Sequence, residues 1–286
     1  MNFIQGIRLS RMRIMLIAVV LAVAGVLVSV SQIAPAGAAT ATAASGGGPK
    51  PTIVLEHGAW ADASSWAGEI QRLQADGYTV DAPPNPLRGV ANDSATLADF
   101  LSTIPGPIVL VGHSYGGMVI TNAATGNPNV KALVYVDAFA PAQGQTLGQL
   151  VTAHPGSCVL PAANVTVQPY PGAPKGAADV YIKQSVFGSC MANGLPASQA
   201  AVLAAAQRPL TSLALTQKSG VPAWKTIPSW AVIGTADHAI PPAELLAMAH
   251  QAHAHITMAP GAPHLSMISN PGLVTRVILD AAQATY

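Results

Sequence analysis

The amino-acid sequence predicts an α/β protein: a mostly parallel sheet of about six strands, flanked by helices and carrying one inserted lid. Two observations lead to this class. From residue 51 onward, apolar runs of strand length alternate with stretches of helical spacing, which is typical of parallel sheets with helices on both faces. Between the fourth and fifth runs, residues 141–228 break this rhythm. Because the carboxyl ends of parallel strands meet at one edge of a sheet, functional residues are expected there.

The first 38 residues have the pattern of a secretory signal peptide. Three arginines precede an uncharged run of 17 residues, 14–30, and the segment ends in the small residues Ala36, Gly37 and Ala38. This order predicts export to a secreted or cell-envelope location. A retained membrane anchor is the alternative, because the apolar run is long for a signal core. Residues 39–50 are rich in Ala, Thr, Ser and Gly and predict a flexible linker before one domain at 51–286.

The composition indicates what kind of partner to expect. The chain has 286 residues, of which 50% are hydrophobic and 9% charged, so a large buried core is expected. Removal of residues 1–38 takes away three of the 13 basic residues and none of the 12 acidic ones, which leaves a formal charge of −2. A near-neutral chain without a basic patch is not expected to bind nucleic acid. After signal cleavage no stable membrane partner is expected, and the oligomeric state is not indicated.

Most of the predicted strands are short runs rich in Val, Ile and Leu, bounded by Gly, Pro or Asn. The six runs are 52–56, 78–82, 107–111, 130–136, 229–233 and 255–259. The helices between them have apolar residues three or four positions apart, as Trp66, Ile70 and Leu73 are in the first one. The five helical stretches are 65–76, 93–102, 116–124, 242–252 and 271–283.

The segment 141–228, here called the lid, is rich in Pro, Gly, Ala and Gln, with helical patches expected at 176–185 and 196–207. Such insertions commonly cover active sites. Its apolar side chains are expected to face that site: Val180, Tyr181, Val186, Phe187, Val202 and Leu203. The lid also holds the two cysteines of the chain, Cys158 and Cys190. Because an exported chain meets an oxidising compartment, a disulfide between them is expected, with two free buried thiols as the alternative.

The strongest functional signal is a G-x-S-x-G pattern made by Gly112, Ser114 and Gly116, which falls between a predicted strand and a predicted helix. At such a strand-to-helix elbow the serine backbone is strained and its hydroxyl projects from the carboxyl edge of the sheet. The glycines leave room for the sharp turn. The helix that follows points its first amides at the place where negative charge would develop. Ser114 is therefore predicted to be a nucleophile.

A serine hydroxyl needs a base that is itself held by a third group. Asp237 follows the fifth predicted strand and His264 follows the sixth, so both belong to the edge of the sheet that carries Ser114. His264 is predicted to be the base and Asp237 the acid that orients it. Asp137 follows the fourth strand directly and is the rival acid.

The turn after the first strand is expected to help bind an oxyanion. The backbone N–H of Ala59 is the first choice as a donor there, with Trp60 next, and the N–H of Tyr115 is the second donor. His57 is expected to brace this turn and His113 to pack beside the nucleophile. Three further histidines straddle a helix end and a strand with no carboxylate among them, so a metal site is not expected there: His250, His253 and His255.

These motifs resemble the α/β-hydrolase superfamily, and within it the small esterases similar to plant methyl esterases and hydroxynitrile lyases. The resemblance covers residues 51–286 in consistent order and is carried by residues 57–60 with Trp66, by 112–117, by 234–237 and by 263–264. It implies the α/β-hydrolase fold and a triad in the chain order Ser114, Asp237, His264. After removal of the predicted signal peptide only about a dozen residues precede the first strand, so the two antiparallel edge strands of larger members are not expected. The lid also departs from the family pattern.

The sequence thus predicts a secreted serine hydrolase that cleaves small-molecule carboxylic esters through an acyl-enzyme and needs no metal or organic cofactor. The same fold supports cyanohydrin cleavage and perhydrolysis, which the fold alone does not separate. A small-molecule binding protein that keeps the triad without turnover is the alternative from another class. The acyl-chain length and the leaving group are not indicated.

Overall fold

The centre of the fold is a six-stranded sheet in which every pair of neighbouring strands is parallel. The structure is a computed structural model that describes residues 48–285; the predicted signal peptide and residues 39–47 of the predicted linker lie outside the described residues. The strands of this sheet are β1 (Thr52–Glu56), β2 (Val80–Asp81), β3 (Ile108–His113), β4 (Val130–Val136), β8 (Ser229–Gly234) and β9 (His255–Ala259). Their spatial order is β2-β1-β3-β4-β8-β9. This arrangement confirms the predicted class.

Helices cover both faces of the sheet. They are α1 (Ala67–Ala75), α2 (Val90–Ser102), α3 (Tyr115–Ala123), α7 (Pro242–Gln251), α8 (Ser266–Ser269) and α9 (Pro271–Gln283). Neighbouring residues of β3 point to opposite layers. Leu110 packs in the apolar cluster that includes α2, α3 and α7, whereas Val109 and Val111 pack in the cluster that includes α1 and α9. Burial on both faces is the reason why this strand is a continuous apolar run rather than an alternating one.

The lid lies between β4 and β8 and has a second, smaller sheet of its own. Its elements are α4 (Leu147–Ala153), β5 (Val165–Gln168), β6 (Asp179–Ile182), α5 (Gln184–Cys190), α6 (Ala197–Ala206) and β7 (Leu210–Thr211). Strand β6 pairs antiparallel with β5 on one side and with β7 on the other. A disulfide joins Cys158 to Cys190 within this segment.

Two expectations for the lid had different outcomes. The helical patch predicted at 196–207 is confirmed as α6, but the one predicted at 176–185 is wrong, because β6 occupies it and α5 begins only at Gln184. The apolar run in this segment is only three residues long, 180–182. Such a run does not distinguish strand from helix by its own spacing, and here pairing with two other strands decides. Among residues 48–285, no helix is both long and apolar enough to span a membrane.

Candidate active site

The elbow that carries Ser114 is a strained turn between β3 and α3. Ser114 has φ 53° and ψ −123°, a backbone conformation that side-chain-bearing residues rarely adopt. Its carbonyl oxygen accepts the amides of Gly117 at 3.0 Å and Phe139 at 3.1 Å, which holds the turn in place. A Cβ atom on Gly116 would lie 2.6 Å from the carbonyl oxygen of Glu56, and one on Gly112 would lie 2.8 Å from that of Gly116. Both glycines of the motif are therefore required by close backbone approach.

Three side chains form a continuous hydrogen-bond chain at this elbow. Ser114 Oγ lies 2.9 Å from His264 Nε2, and His264 Nδ1 lies 2.7 Å from Asp237 Oδ2. The other carboxyl oxygen of Asp237 accepts the amides of Ala239 at 2.7 Å and Ile240 at 2.9 Å. A hydroxyl within reach of an imidazole that a carboxyl group orients is the arrangement of an activated serine nucleophile. Sequence reasoning expected these three residues at one edge of the sheet, and the structure brings them together there.

The electrostatics of this chain follow from its burial. Burial lowers the pKa of His264 to about 3 and raises that of Asp237. The amides of Ala239 and Ile240 oppose the second shift, because they donate to the charged carboxylate. Neutral His264 has one N–H, and Asp237 Oδ2 is the acceptor within reach of Nδ1. That contact leaves the lone pair of Nε2 directed at the Ser114 hydroxyl.

Asp137, the rival acid, lies beside this chain but is held differently. Its Oδ1 accepts the Gly234 amide at 2.6 Å, and no hydrogen bond joins it to His264 in the described part of the chain. Burial, reinforced by the charge of Asp237, raises the pKa of Asp137 well above its ordinary value. Two close carboxyl groups do not both ionise in a buried site. The charge of Asp237 raises the pKa of Asp137, whereas the amides of Ala239 and Ile240 favour the charged form of Asp237, so the proton is assigned to Asp137.

Two residues that line the cavity beside Ser114, Ala59 and Tyr115, have backbone amides without a hydrogen-bond partner among the described residues. The amide of Trp60, the second choice from the sequence, donates to the carbonyl of Arg208 at 2.9 Å and is therefore occupied. The amides of Ala59 and Tyr115 thus remain available to a negatively charged oxygen next to Ser114.

The turn that presents the Ala59 amide is braced by His57, as the sequence predicts. His57 Nδ1 donates to the Gly58 carbonyl at 2.9 Å, and Nε2 accepts the Asn85 amide at 3.0 Å. Burial lowers the pKa of His57 to about 4, so the ring is neutral. A neutral imidazole has one donor and one acceptor nitrogen, and both are used here.

His113 packs behind the candidate base. Its ring centroid lies 4.7 Å from that of His264, and its Nε2 donates to the His264 carbonyl at 3.0 Å. Burial lowers the pKa of His113 well below its ordinary value, so this ring is neutral as well. His113 therefore fixes the position of His264 without adding a charge next to it.

A cavity of about 340 Å³ opens above Ser114 and His264. Its walls are mostly aliphatic, and the lid supplies many of them, among them Leu147, Val151 and Val159. Of the six lid residues expected to face the site, Val180 alone lines this cavity. Phe187 is instead buried in the apolar cluster that also contains residues of α9, and Val202 faces solvent. The expectation for Tyr181 was wrong because the segment expected to be helical folds as β6, which turns its side chains in alternate directions. The other four residues lie on helices that pack elsewhere, Val186 and Phe187 on α5 and Val202 and Leu203 on α6.

One polar contact at the site was not predicted from the sequence. Tyr115 donates its hydroxyl to Asp93 at 2.8 Å, and Asp93 also accepts the amides of Arg88 and Gly89. This network fixes the residue that carries one of the two free amides. The signal available in the sequence was Asp93, an acidic residue in the first turn of α2. Its neighbours on that helix, Val90 and Leu97, are apolar. Within residues 48–285, no three His, Cys, Asp or Glu side chains form a group that could hold a metal ion.

Comparison with known proteins gives a family and a fold. Residues 53–277 match the alpha/beta hydrolase family. A carbendazim-hydrolyzing esterase from Nocardioides sp. (strain SG-4G) is 34% identical over 111 residues, which cover 34% of this chain and 46% of that esterase. The aligned segment thus spans less than half of this relative.

Solved structures extend the similarity over nearly the whole described chain. Polyneuridine aldehyde esterase superimposes with a TM-score of 0.69 at 20% identity, covering 81% of this chain and 99% of its own. Tomato methylketone synthase I superimposes with a TM-score of 0.71 at 20% identity, covering 83% and 100%. At these identities the superpositions describe a shared fold.

Proposed function

The chain belongs to the alpha/beta hydrolase family, and from this premise we propose that it hydrolyses carboxylic esters by a Ser-His-Asp mechanism. The observation that carries the proposal is the hydrogen-bond chain from Ser114 Oγ through His264 to Asp237, with contacts of 2.9 and 2.7 Å. Nucleophile, base and orienting acid stand in the contact order that serine hydrolysis requires.

Each residue has one task in the reaction. Ser114 Oγ attacks the ester carbonyl carbon while His264 Nε2 takes its proton, and Asp237 stabilises the imidazolium that forms. The amides of Ala59 and Tyr115 bind the oxygen that becomes negative. His264 then protonates the departing alcohol, which leaves an acyl group on Ser114. A water molecule repeats the sequence, giving its proton to His264 and releasing the acid.

The cavity supports uncharged substrates. Its walls are largely aliphatic, and His264 is the one lining side chain, among the residues that the structure describes, that could carry positive charge. A charged acyl or alcohol group would lose its hydration there without gaining a partner. Esters with apolar groups on both sides of the carbonyl are therefore the proposed substrates.

The site is proposed to work outside the cytoplasm. The predicted signal peptide is the first reason, and the disulfide between Cys158 and Cys190 is consistent with it, because such bonds persist in oxidising compartments. Detection of the protein in the medium or cell envelope, with its N-terminus after Ala38, tests this proposal.

The decisive test combines covalent labelling with a substrate panel. Ser114→Ala should abolish labelling by a fluorophosphonate and lower kcat/KM for p-nitrophenyl acetate by at least about 10³-fold, because it removes the nucleophile. Ser102→Ala is the matched control, since that serine is exposed at the end of α2 and, among residues 48–285, its hydroxyl bonds only to the Asp99 carbonyl. Unchanged hydrolysis by Ser114→Ala would overturn the mechanism.

The panel separates the other activities that the same triad could support. It contains p-nitrophenyl esters, a cyanohydrin, a peracid assay and carbendazim, the compound in the name of the Nocardioides relative. Labelling of Ser114 without turnover of any compound would indicate a binding protein. Faster cyanohydrin cleavage than ester hydrolysis would move the activity to the lyase class.

A further inference from the structure

One wall of the cavity is the lid sheet, and its register lines up three aliphatic side chains. Val167 of β5 stands opposite Val180 of β6, and Val180 stands opposite Leu210 of β7. Cross-strand partners point to the same face of a sheet, and all three line the cavity. Val165 lies two residues before Val167 and lines the same cavity. The sheet thus turns an apolar row toward the cavity.

This row runs from the interior of the protein to its surface. Leu210 is 3% exposed, Val180 is half-buried and Val167 is 60% exposed. Because β5 is the edge strand of the lid sheet, nothing in the described chain pairs beyond Val167. The apolar surface that begins in the cavity therefore continues into solvent.

Two other exposed aliphatic residues stand at the mouth of the same cavity. Leu160 is 44% exposed and Leu215 is 38% exposed, and both line the cavity. Six large hydrophobic side chains are exposed among the described residues, and Leu160, Val167 and Leu215 are half of them. Concentrated apolar exposure at a cavity mouth indicates a binding surface, whereas scattered single residues do not.

We propose that Leu160, Val167 and Leu215 form an exterior subsite for the aliphatic chain of an ester whose carbonyl lies at Ser114. This inference rests on the proposed esterase function and names its substrate class: esters with one straight chain too long for the cavity. A volume of about 340 Å³ holds on the order of ten methylene-sized groups. The ester group and its smaller substituent take part of this space, so the end of a longer chain emerges over the three side chains.

The expected gain can be scaled from the hydrophobic effect. Complete removal of one methylene from water favours binding about fourfold. A methylene that lies on Val167 is covered on one side and gains about twofold. Two or three such methylenes then raise kcat/KM by about four- to eightfold, and an acetate gains nothing because it does not reach the subsite.

The test compares chain-length profiles of three full-length proteins. Wild type, Val167→Ser and the control Val202→Ser are assayed on p-nitrophenyl acetate, butyrate, octanoate and dodecanoate. Each ester is kept below the concentration at which it aggregates. A second series of acetates of straight-chain alcohols covers the other side of the ester. Val202 is 67% exposed on α6 but does not line the cavity, so its replacement removes exposed apolar surface away from the mouth.

Val167→Ser should lower kcat/KM for the longest chain of one series, measured relative to acetate in the same protein, about four- to eightfold, while Val202→Ser follows wild type. A profile parallel to wild type in both series would overturn the subsite and leave the esterase proposal standing. An equal loss in Val202→Ser would also overturn it, because the effect would then be general surface adsorption.

A binding measurement keeps the subsite testable apart from turnover. Dodecyl acetate and methyl dodecanoate, which carry the long chain on opposite sides of the ester, are each titrated into Ser114→Ala and into Ser114→Ala with Val167→Ser, neither of which has the nucleophile. The second protein should bind one of the two esters about four- to eightfold more weakly, whatever the outcome of the activity panel. Equal dissociation constants of the two proteins for both esters would overturn the subsite.

Discussion

Replacement of Asp237 by Asn changes one atom of the hydrogen-bond chain and should lower kcat/KM by about 10⁴-fold, as the equivalent change does in serine proteases. The amides of Ala239 and Ile240 donate to Oδ1 of Asp237, so they should hold the oxygen of the new amide in the same place. A flipped side-chain amide would leave both donors unpaired, at a cost of about 1–3 kcal/mol each.

The substitution is expected to change the tautomer of His264. With its oxygen held by the two amides, the new side chain would direct its NH₂ at His264 Nδ1, which would then have to accept. The imidazole proton would move to Nε2 and point at Ser114 Oγ, where a base is needed. A 10⁴-fold loss corresponds to about 5.4 kcal/mol, the free energy needed to restore the productive tautomer against two facing N–H groups.

Asp137→Asn is the matched control. Burial and the neighbouring Asp237 raise the pKa of Asp137, so an uncharged amide is close to its native state and can still accept the Gly234 amide. Its kcat/KM for p-nitrophenyl acetate should stay within about threefold of wild type. Circular dichroism of both variants checks the fold. If Asp137→Asn lost more activity than Asp237→Asn, the acid would be Asp137 and the reasoning from the two amides would be refuted.

Two further predictions concern stability. Burial raises the pKa of Glu69 to about 8 from an ordinary 4.5, and neither carboxyl oxygen has a hydrogen-bond partner among the described residues. Between these two pKa values the folded chain keeps a proton that the unfolded chain releases. The free energy of unfolding therefore falls as pH rises from 4.5 toward 8. Glu69→Gln should raise the free energy of unfolding by about 2–3 kcal/mol at pH 7 and hardly at pH 4, measured by urea denaturation; an equal gain at both values would contradict this. Replacement of Cys158 and Cys190 by Ser should lower the free energy of unfolding by about 2–4 kcal/mol, because the disulfide closes a loop of 32 residues. The same urea titration measures it, and a double variant as stable as wild type would speak against a loop-closure contribution.

The central sheet could be predicted because its strands are buried on both faces. The bounds of β1 and β4 agree with the predicted runs 52–56 and 130–136, since a continuous Val, Ile and Leu run has few other solutions at that length. The three members of the candidate triad could be assigned to one edge for a related reason. Parallel strands bring their carboxyl ends together however far apart they are in the chain.

The lid could not be predicted in the same way. Strand β6 is four residues long and is stabilised by β5 and β7, of which β7 lies about thirty positions further along the chain. No local pattern encodes that pairing. The same holds for the contact between Tyr115 and Asp93 and for the amide of Trp60, because each depends on which distant group approaches the site.

Trp60 joins the lid to the turn that presents the Ala59 amide. Its backbone N–H donates to the Arg208 carbonyl at 2.9 Å, and its indole N–H donates to the Val180 carbonyl at 2.8 Å. Outward movement of the lid would break both bonds and displace the neighbouring Ala59 amide. An open lid would therefore leave the site beside Ser114 without one of its two free amides. These two hydrogen bonds therefore couple the lid to the Ala59 amide, so the position of the lid and the geometry beside Ser114 are expected to change together.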